Sequence, residues 1–233
     1  MISGQTIGVV IPTLNEAGAI GNVISDIPDW VDRTIVCDSG STDATVEIAR
    51  RLGAESIISS GEGYGAACLA GISELGSIDI IVFLDGDYSD YPEQMERLVR
   101  PITEGVFDLV IGSRRLGEAQ AGSLTIQQRF GNWLACSLIR IFWKVNYTDL
   151  GPFRAVKRTA LEQLDMTDRA FGWTVQMQLH AIFAGIRVTE VPVDYRCRIG
   201  HSKISGTLKG TILAGKAILG TIFRSAIIRK FEP

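Results

Sequence analysis

The sequence predicts an α/β domain in which a mostly parallel sheet lies between layers of helices. Two observations carry that expectation. Short β-branched runs alternate with stretches of helical periodicity from the amino terminus to about residue 113. These strands also lack the polar alternation of a half-exposed sheet, so both of their faces are buried. A chain of 233 residues with 46% hydrophobic and 21% charged side chains agrees with one globular unit, residues 1–233, and excludes disordered, collagen-like and disulfide-scaffold classes.

The elements follow in order. IGVVIPT (7–13) and TIVCD (34–38) read as strands, each followed by turn residues and a helical pattern at 17–27 and 43–52. SIISS (56–60), IDIIVFLD (78–85) and DLVIGS (108–113) continue the strands, with helices at 64–75 and 92–104. Beyond Arg115 the rhythm changes. Residues 123–145 read as one long helix, 148–156 as a connection or short strand, and 157–164 and 173–184 as further helices. VTEVPVDYR (188–196) alternates as a strand, and Pro192 restricts it to an edge or a bulge. The last element, 207–230, reads as an amphipathic helix: at about 100° per residue Leu208, Ile212, Gly215, Leu219, Ile222 and Ala226 share one stripe bordered by Lys209 and Lys216. Such a stripe can lie on a membrane or pack against the body of the domain.

No apolar run reaches the ~18 residues of a membrane span, and no basic leader precedes the first strand, so a cytoplasmic protein is expected. Cys37, Cys68, Cys136 and Cys197 form no C-x-x-C pair and read as reduced packing residues. The net charge of -3 conceals an asymmetry. Residues 1–93 carry 15 acidic and 3 basic side chains, whereas residues 194–233 carry 8 basic and 2 acidic ones. A cationic carboxyl-terminal segment suits a phosphate-bearing ligand or an anionic lipid surface, and no nucleic-acid partner is expected.

In an open parallel sheet, ligands bind beyond the carboxyl ends of the strands. Three such ends carry polar clusters: Pro12 to Glu16, Asp38 to Asp43, and Asp85-Gly86-Asp87. The last is the sharpest, because two carboxylates leave a buried strand together. Unpaired buried anions cost several kcal/mol each, so the pair calls for a cation, and oxygen-only ligands favour Mg²⁺ or Mn²⁺. Gly86 keeps the backbone open to a ligand. Gly61 to Gly65 has neither the spacing of a dinucleotide-binding loop nor the lysine of a phosphate-binding loop, and His180 reads as an interior histidine.

In the order VVIPTLNE, VCDSGSTDAT, GEGYGAACLAG, FLDGDYSDYPE, VIGSRR, DLGPFRAVKR and YRCRIGHSKISG, residues 7–206 resemble the family-2 glycosyltransferases, and within them the dolichyl-phosphate mannosyltransferase-like branch. The resemblance implies a three-layer α/β/α GT-A fold. It implies that Pro12, Asn15 and Glu16 lie against the nucleoside and that Asp38 bonds the base, with Asp85 and Asp87 holding ribose and a metal that bridges the diphosphate. It further implies that Gly65 lets a helix approach the donor pocket, that Arg198, His201, Ser202 and Lys203 form a loop closing on the donor, and that Arg114 approaches the transferring or acceptor phosphate.

Two departures from the family pattern stand out. Ser39 replaces a common second acid, which Asp38 is expected to make tolerable by keeping the base contact. Residues 171–189 hold no Asp or Glu where inverting relatives place a catalytic carboxylate, and Gln176 and Gln178 stand there instead. An acceptor hydroxyl needs a general base, whereas a phosphate monoester is already an anion. The expected acceptor is therefore a phosphate, on a polyprenyl lipid as the resemblance also implies, with Arg114, Arg129 and Arg154 as phosphate contacts and Trp173 and Gln176 beside them. Asp149 or Asp168 would be the base if one is used. The expected activity is metal-dependent, inverting transfer of a hexose from a GDP-mannose or UDP-glucose type donor, at the inner face of a membrane. The rival readings are a sugar-phosphate nucleotidyltransferase, which would need a basic glycine-rich loop after the first strand, and a non-catalytic membrane-surface binding module.

Overall fold

The structure is a computed structural model and describes residues 1–59, 63–200 and 208–231. Seven strands form one sheet: β1 (Ile7–Thr13), β2 (Arg33–Asp38), β3 (Glu55–Ile58), β4 (Ile80–Phe83), β5 (Leu109–Ser113), β6 (Arg154–Lys157) and β7 (Val188–Pro192). Their order is β3-β2-β1-β4-β6-β5-β7. Every pairing is parallel except the two made by β6, which runs antiparallel between β4 and β5 and sets Arg154 opposite both Phe83 and Ile111. The start of β6 thus shares one rim with the carboxyl ends of β1, β2, β4 and β5.

Adjacent residues of each strand feed different cores, because side chains alternate across a strand. Ile7, Val9, Ile11, Ile80 and Val82 face α1 (Ile20–Ser25), α2 (Thr45–Arg51) and α4 (Met95–Thr103). Val10, Ile81 and Phe83 face α3 (Tyr64–Leu75), α5 (Ile126–Trp143), α6 (Arg158–Gln163), α7 (Trp173–Phe183) and α8 (Leu208–Phe231). Burying each such side chain contributes about 1.5–3 kcal/mol, which is why the central strands carry uninterrupted apolar runs. Pro192 ends β7, an edge strand, where its missing N–H breaks no inner ladder.

Three elements depart from the sequence reading. β4 is shorter than 78–85: after Leu84 donates its N–H to the Val10 carbonyl, the chain leaves the ladder and releases Asp85–Asp87 from the sheet. The helix expected at 17–27 begins only at Ile20, because the preceding residues are tied to the β2–α2 loop, Ala17 N donating to Asp43 Oδ2 at 3.1 Å. The carboxyl-terminal helix is not amphipathic. Ile222 of its apolar stripe is buried against the body of the domain, while Leu213, Phe223 and Ile227 are exposed on other sides. α8 packs on α5 and α7, and among the described residues no helix is long and apolar enough to cross a membrane. Cys37, Cys68 and Cys136 are buried free thiols, whereas Cys197 is exposed rather than packed.

Candidate active site

A cavity of about 810 Å³ opens at the rim where the strands end. Pro12, Thr13, Leu14 and Glu16 from the β1 end, Ser39 from the β2 end, and Asp85, Gly86 and Asp87 from the β4 end line one part of it. Phe130, Gly131 and Leu134 of α5 and Ala214, Gly215, Ile218 and Leu219 of α8 line another. Arg114, Tyr195 and Arg198 also face this space. Gly86 is required by close approach: a Cβ there would lie 2.7 Å from the Thr13 side chain.

Two carboxylates here, Asp85 and Asp90, sit in a field that disfavours their charge. Burial first, and the neighbouring Asp87 charge second, push Asp85 up to about 7, although Tyr64 Oη donates to its Oδ1 at 3.2 Å. Asp87 accepts from Ser89 N at 2.9 Å and Ser89 Oγ at 2.5 Å, and its other oxygen lies 2.7 Å from Arg198. Asp90, 1% exposed, is the residue the sequence reading missed. Neither of its oxygens has a hydrogen-bond partner among the described residues. Burial and then the charges of Asp85 and Asp87 hold it well above the usual carboxylate range, and the Arg114 charge does not offset them. The only advance sign was the third aspartate in Asp85-Gly86-Asp87-Tyr88-Ser89-Asp90.

A buried acidic cluster with an orphaned carboxyl is short of positive charge, and its all-oxygen donors fit Mg²⁺ or Mn²⁺. Among the described residues no three His, Cys, Asp or Glu side chains form a cage by themselves. This suits an ion that completes its shell with ligand phosphates. Asp85 and Asp87 are the residues that would hold it.

Arg114 is fixed by Asp149. Its Nε and backbone N donate to Asp149 Oδ2 at 2.7 and 2.9 Å, and its Nη2 to Oδ1 at 2.6 Å. The guanidinium also stands over the Tyr195 ring, 5.1 Å from its centre. Burial opposes its charge, and the Asp149 carboxylate more than offsets that, so its pKa lies above the ordinary value.

Other expected site residues make contacts within the protein. Asp38 is buried, and its carboxylate accepts from Gly40 N, Ser41 N, Ser41 Oγ and Thr13 Oγ1, so it builds its own loop; Ser39 beside it is the residue on the cavity wall. Asn15, at a positive φ of 53°, stitches the first loop to the second through Thr42 N at 2.8 Å. Gly65 serves a loop rather than the donor pocket, since a Cβ there would lie 2.1 Å from the Asp168 carbonyl oxygen, while Gly63 and Tyr64 reach the cavity.

Arg154 is fully buried and donates to the Gly151 and Thr174 carbonyls, with burial lowering it to about 10, and it does not line the cavity. Trp173 is core, edge-on to Phe83 at 5.8 Å. Gln176 binds the Thr167 and Asp168 backbone, and Asp168 accepts from Ala170 N as a local cap. Neither lines the cavity. Arg129 lies on the outer face of α5 in a shallow depression with Ile126, Phe130 and Trp133. His180 bonds the Leu164 carbonyl in the interior, as expected. His201, Ser202 and Lys203 lie outside the described residues.

Comparison with known proteins adds four findings. The family model described as glycosyl transferase family 2 matches residues 8–165. A dolichyl-phosphate hexose transferase of Haloferax volcanii is 31% identical over 91% of this chain and 92% of its own length. An undecaprenyl-phosphate mannosyltransferase of Micrococcus luteus is 30% identical over 86% and 88%. Among solved structures, glucosyl-3-phosphoglycerate synthase of Mycobacterium tuberculosis, crystallised with Mn²⁺, UDP and glucosyl-3-phosphoglycerate, superposes with a TM-score of 0.77 at 25% identity, covering 96% of this chain and 81% of that one.

Proposed function

The chain belongs to glycosyltransferase family 2, and from that membership we propose that it transfers a hexose from a nucleoside diphosphate sugar, with inversion, to the phosphate of a polyprenyl-phosphate acceptor. One observation carries the reading: a single cavity joins the Asp85/Asp87 pair to an apolar wall made by α5 and α8, with Arg114 facing the same space. The carboxylate end suits a metal-bound diphosphate, and the apolar wall suits an isoprenoid chain better than a small polar acceptor. The relatives named for dolichyl and undecaprenyl phosphate support that choice.

In this reading a phosphate oxygen of the acceptor attacks C1 of the hexose from the face opposite the donor. The C1–O bond to the diphosphate breaks, the nucleoside diphosphate leaves with the electron pair, and a glycosyl phosphodiester forms. No proton has to leave the attacking oxygen, so no general base is needed, in keeping with Asp149 being paired to Arg114 and Asp168 serving as a local cap. A divalent ion held by Asp85 and Asp87 would neutralise the charge gathering on the departing diphosphate. Arg114 and Arg198 supply fixed positive charge to phosphate oxygens in the same space. The loop after β1, Leu14-Asn15-Glu16, carries no basic residue, which disfavours the nucleotidyltransferase reading.

The outer faces of α5 and α8 expose Ile126, Trp133, Phe142 and Phe223 together with Arg129, Arg140, Lys216 and Arg224, a combination suited to peripheral contact with an anionic lipid surface. The test is a thermal-shift panel of UDP- and GDP-sugars with Mn²⁺, followed by transfer of labelled hexose to undecaprenyl phosphate or to 3-phosphoglycerate. Selective stabilisation by one donor, its loss in Asp87→Ala, and label in the lipid fraction are expected. Label passing only to 3-phosphoglycerate would refute the lipid acceptor. Sedimentation with phosphatidylglycerol vesicles, weakened by Trp133→Glu, checks the membrane contact.

A further inference from the structure

Arg114 is held by a structure much larger than the residue itself. The segment 148–150 that carries Asp149 is clamped from several elements. Glu190 of β7 accepts from Thr148 N and Asp149 N at 2.9 and 3.0 Å, and Gln178 of α7 donates to the Asp149 carbonyl at 3.0 Å. Asn132 of α5 donates to the Thr148 carbonyl at 3.0 Å and accepts from Leu150 N at 2.8 Å. The Ser113 and Thr148 hydroxyls meet at 2.6 Å. Glu190, Gln178 and Asn132 are thereby engaged with backbone and fix where the Asp149 carboxylate stands.

From that platform Asp149 meets Arg114 along one edge of the guanidinium and at its backbone amide. The Asp149 side chain is 1% exposed and that of Arg114 14%. Arg114 Nη1 makes no hydrogen bond among the described residues, and Arg114 lines the cavity. An arginine side chain carries several rotatable bonds, and ordering it on ligand binding costs conformational entropy. A guanidinium already pinned by a bidentate carboxylate has lost that freedom beforehand and presents its remaining donors in one direction.

We propose that Asp149 is a positioning residue, which holds Arg114 in a single orientation to receive an acceptor phosphate, and that it does not act as a base. Asn132 extends the device, because it braces the same segment from α5, whose neighbouring residues Phe130, Gly131 and Leu134 form the apolar wall. The contact that grips the phosphate and the wall that accommodates its tail are therefore built on one support. The inference rests on the phosphate-acceptor reading above.

The test uses farnesyl phosphate, a short soluble polyprenyl phosphate, as the binding probe. Asp149→Asn removes the charge and one strong acceptor while keeping the shape. Charge-assisted hydrogen bonds of this kind are worth roughly tenfold to a hundredfold in binding. Asp149→Asn is expected to weaken farnesyl phosphate by about tenfold or more, to leave Mn²⁺–UDP affinity within about twofold, and to raise the acceptor KM more than it lowers kcat. The pH profile keeps its shape. In the double variant with Arg114→Ala the second substitution adds nothing, because both act through one guanidinium. In ¹⁵N spectra the Arg114 Nε–H signal, protected in the parent, exchanges rapidly in Asp149→Asn. Loss of one limb of the pH profile, or full additivity with Arg114→Ala, overturns the proposal. Should Asp149→Asn unfold, Asn132→Ala serves as the second variant: it leaves the ion pair intact but loosens its support, and unchanged farnesyl phosphate binding there overturns the proposal as well. Failure of the parent to bind any sugar nucleotide would instead defeat the functional reading. Farnesyl phosphate affinity and the Nε–H signal would still judge Asp149.

Discussion

A buried acidic residue is informative when its charge has no local compensation. Asp85 is held above the ordinary carboxylate range by burial and the Asp87 charge, and Asp90 by burial and the charges of Asp85 and Asp87, whereas Asp38 has four donors to satisfy it. The difference has a pH signature. An unfolded aspartate releases its proton near pH 4, and folded Asp85 retains it up to about 7. Below the unfolded value both states are protonated and the stabilising contribution is complete. As pH rises from there through about 7 the unfolded chain is favoured, so stability falls across that window and then levels. Metal-free protein is therefore expected to melt at progressively lower temperature between about pH 4 and about pH 7, each kcal/mol appearing as about 2–4 °C for a chain of this size. Asp85→Asn should flatten the slope, and so should Mn²⁺ with UDP, which favours the ionised form. A melt series that stays level in the metal-free parent would contradict this picture of the site. The sequence showed the acidic pair because both residues follow a buried strand at once. It could not show that Arg154 and Trp173 turn inward, since their partners, Thr174 and Phe83, lie about 20 and 90 positions away.

At the level of elements, local periodicity located most strands and helices, and the helix at 64–75 falls where its pattern placed it. Pairing is non-local, so nothing in RAVK announced that β6 would insert antiparallel between β4 and β5. That insertion brings the 148–153 segment, and Asp149 with it, to the rim beside Asp85 and Arg114. The role of Gly65 is likewise decided by a distant neighbour. Ala66 N donates to the Arg169 carbonyl at 3.0 Å, and the first turn of α3 sits against the 168–170 backbone so closely that no side chain fits. Gly65→Ala is expected to push that segment away and to destabilise the protein by about 1–3 kcal/mol, because backbone on backbone cannot yield as a flexible side chain can. Gly21→Ala, where the added Cβ finds its nearest neighbours at ordinary contact distance, is the control and should change the melting temperature little. Equal melting temperatures for the two variants would mean that the α3 contact with the 168–170 segment is dispensable.

Across the whole molecule, charge and apolar surface are segregated in a way that matches the two ends of the cavity. The acidic amino-terminal half supplies the strand ends that carry Asp85 and Asp87, and the more basic remainder supplies Arg114, Arg198 and the helices α5 and α8. α8 closes the apolar wall although it is the element most distant in sequence from the first strands. A change on α8 can therefore alter what the far end of the cavity accepts without touching the carboxylates. Gly215 is the position to use: it lines the cavity, and a Cβ added there meets nothing within 4 Å. Gly215→Phe should leave the fold intact, since a helix interior prefers almost any residue to glycine by up to about 1 kcal/mol. The ring should project into the apolar part of the cavity and exclude a long isoprenoid while leaving the diphosphate end open. The expected result is unchanged Mn²⁺–UDP affinity, a melting temperature equal to or above that of the parent, and loss of at least about tenfold in kcat/KM for undecaprenyl phosphate, with farnesyl phosphate affected less. An isoprenoid running elsewhere on the surface predicts the opposite pattern, with both acceptors used as in the parent, because the phenyl ring would then occupy space the substrate never enters.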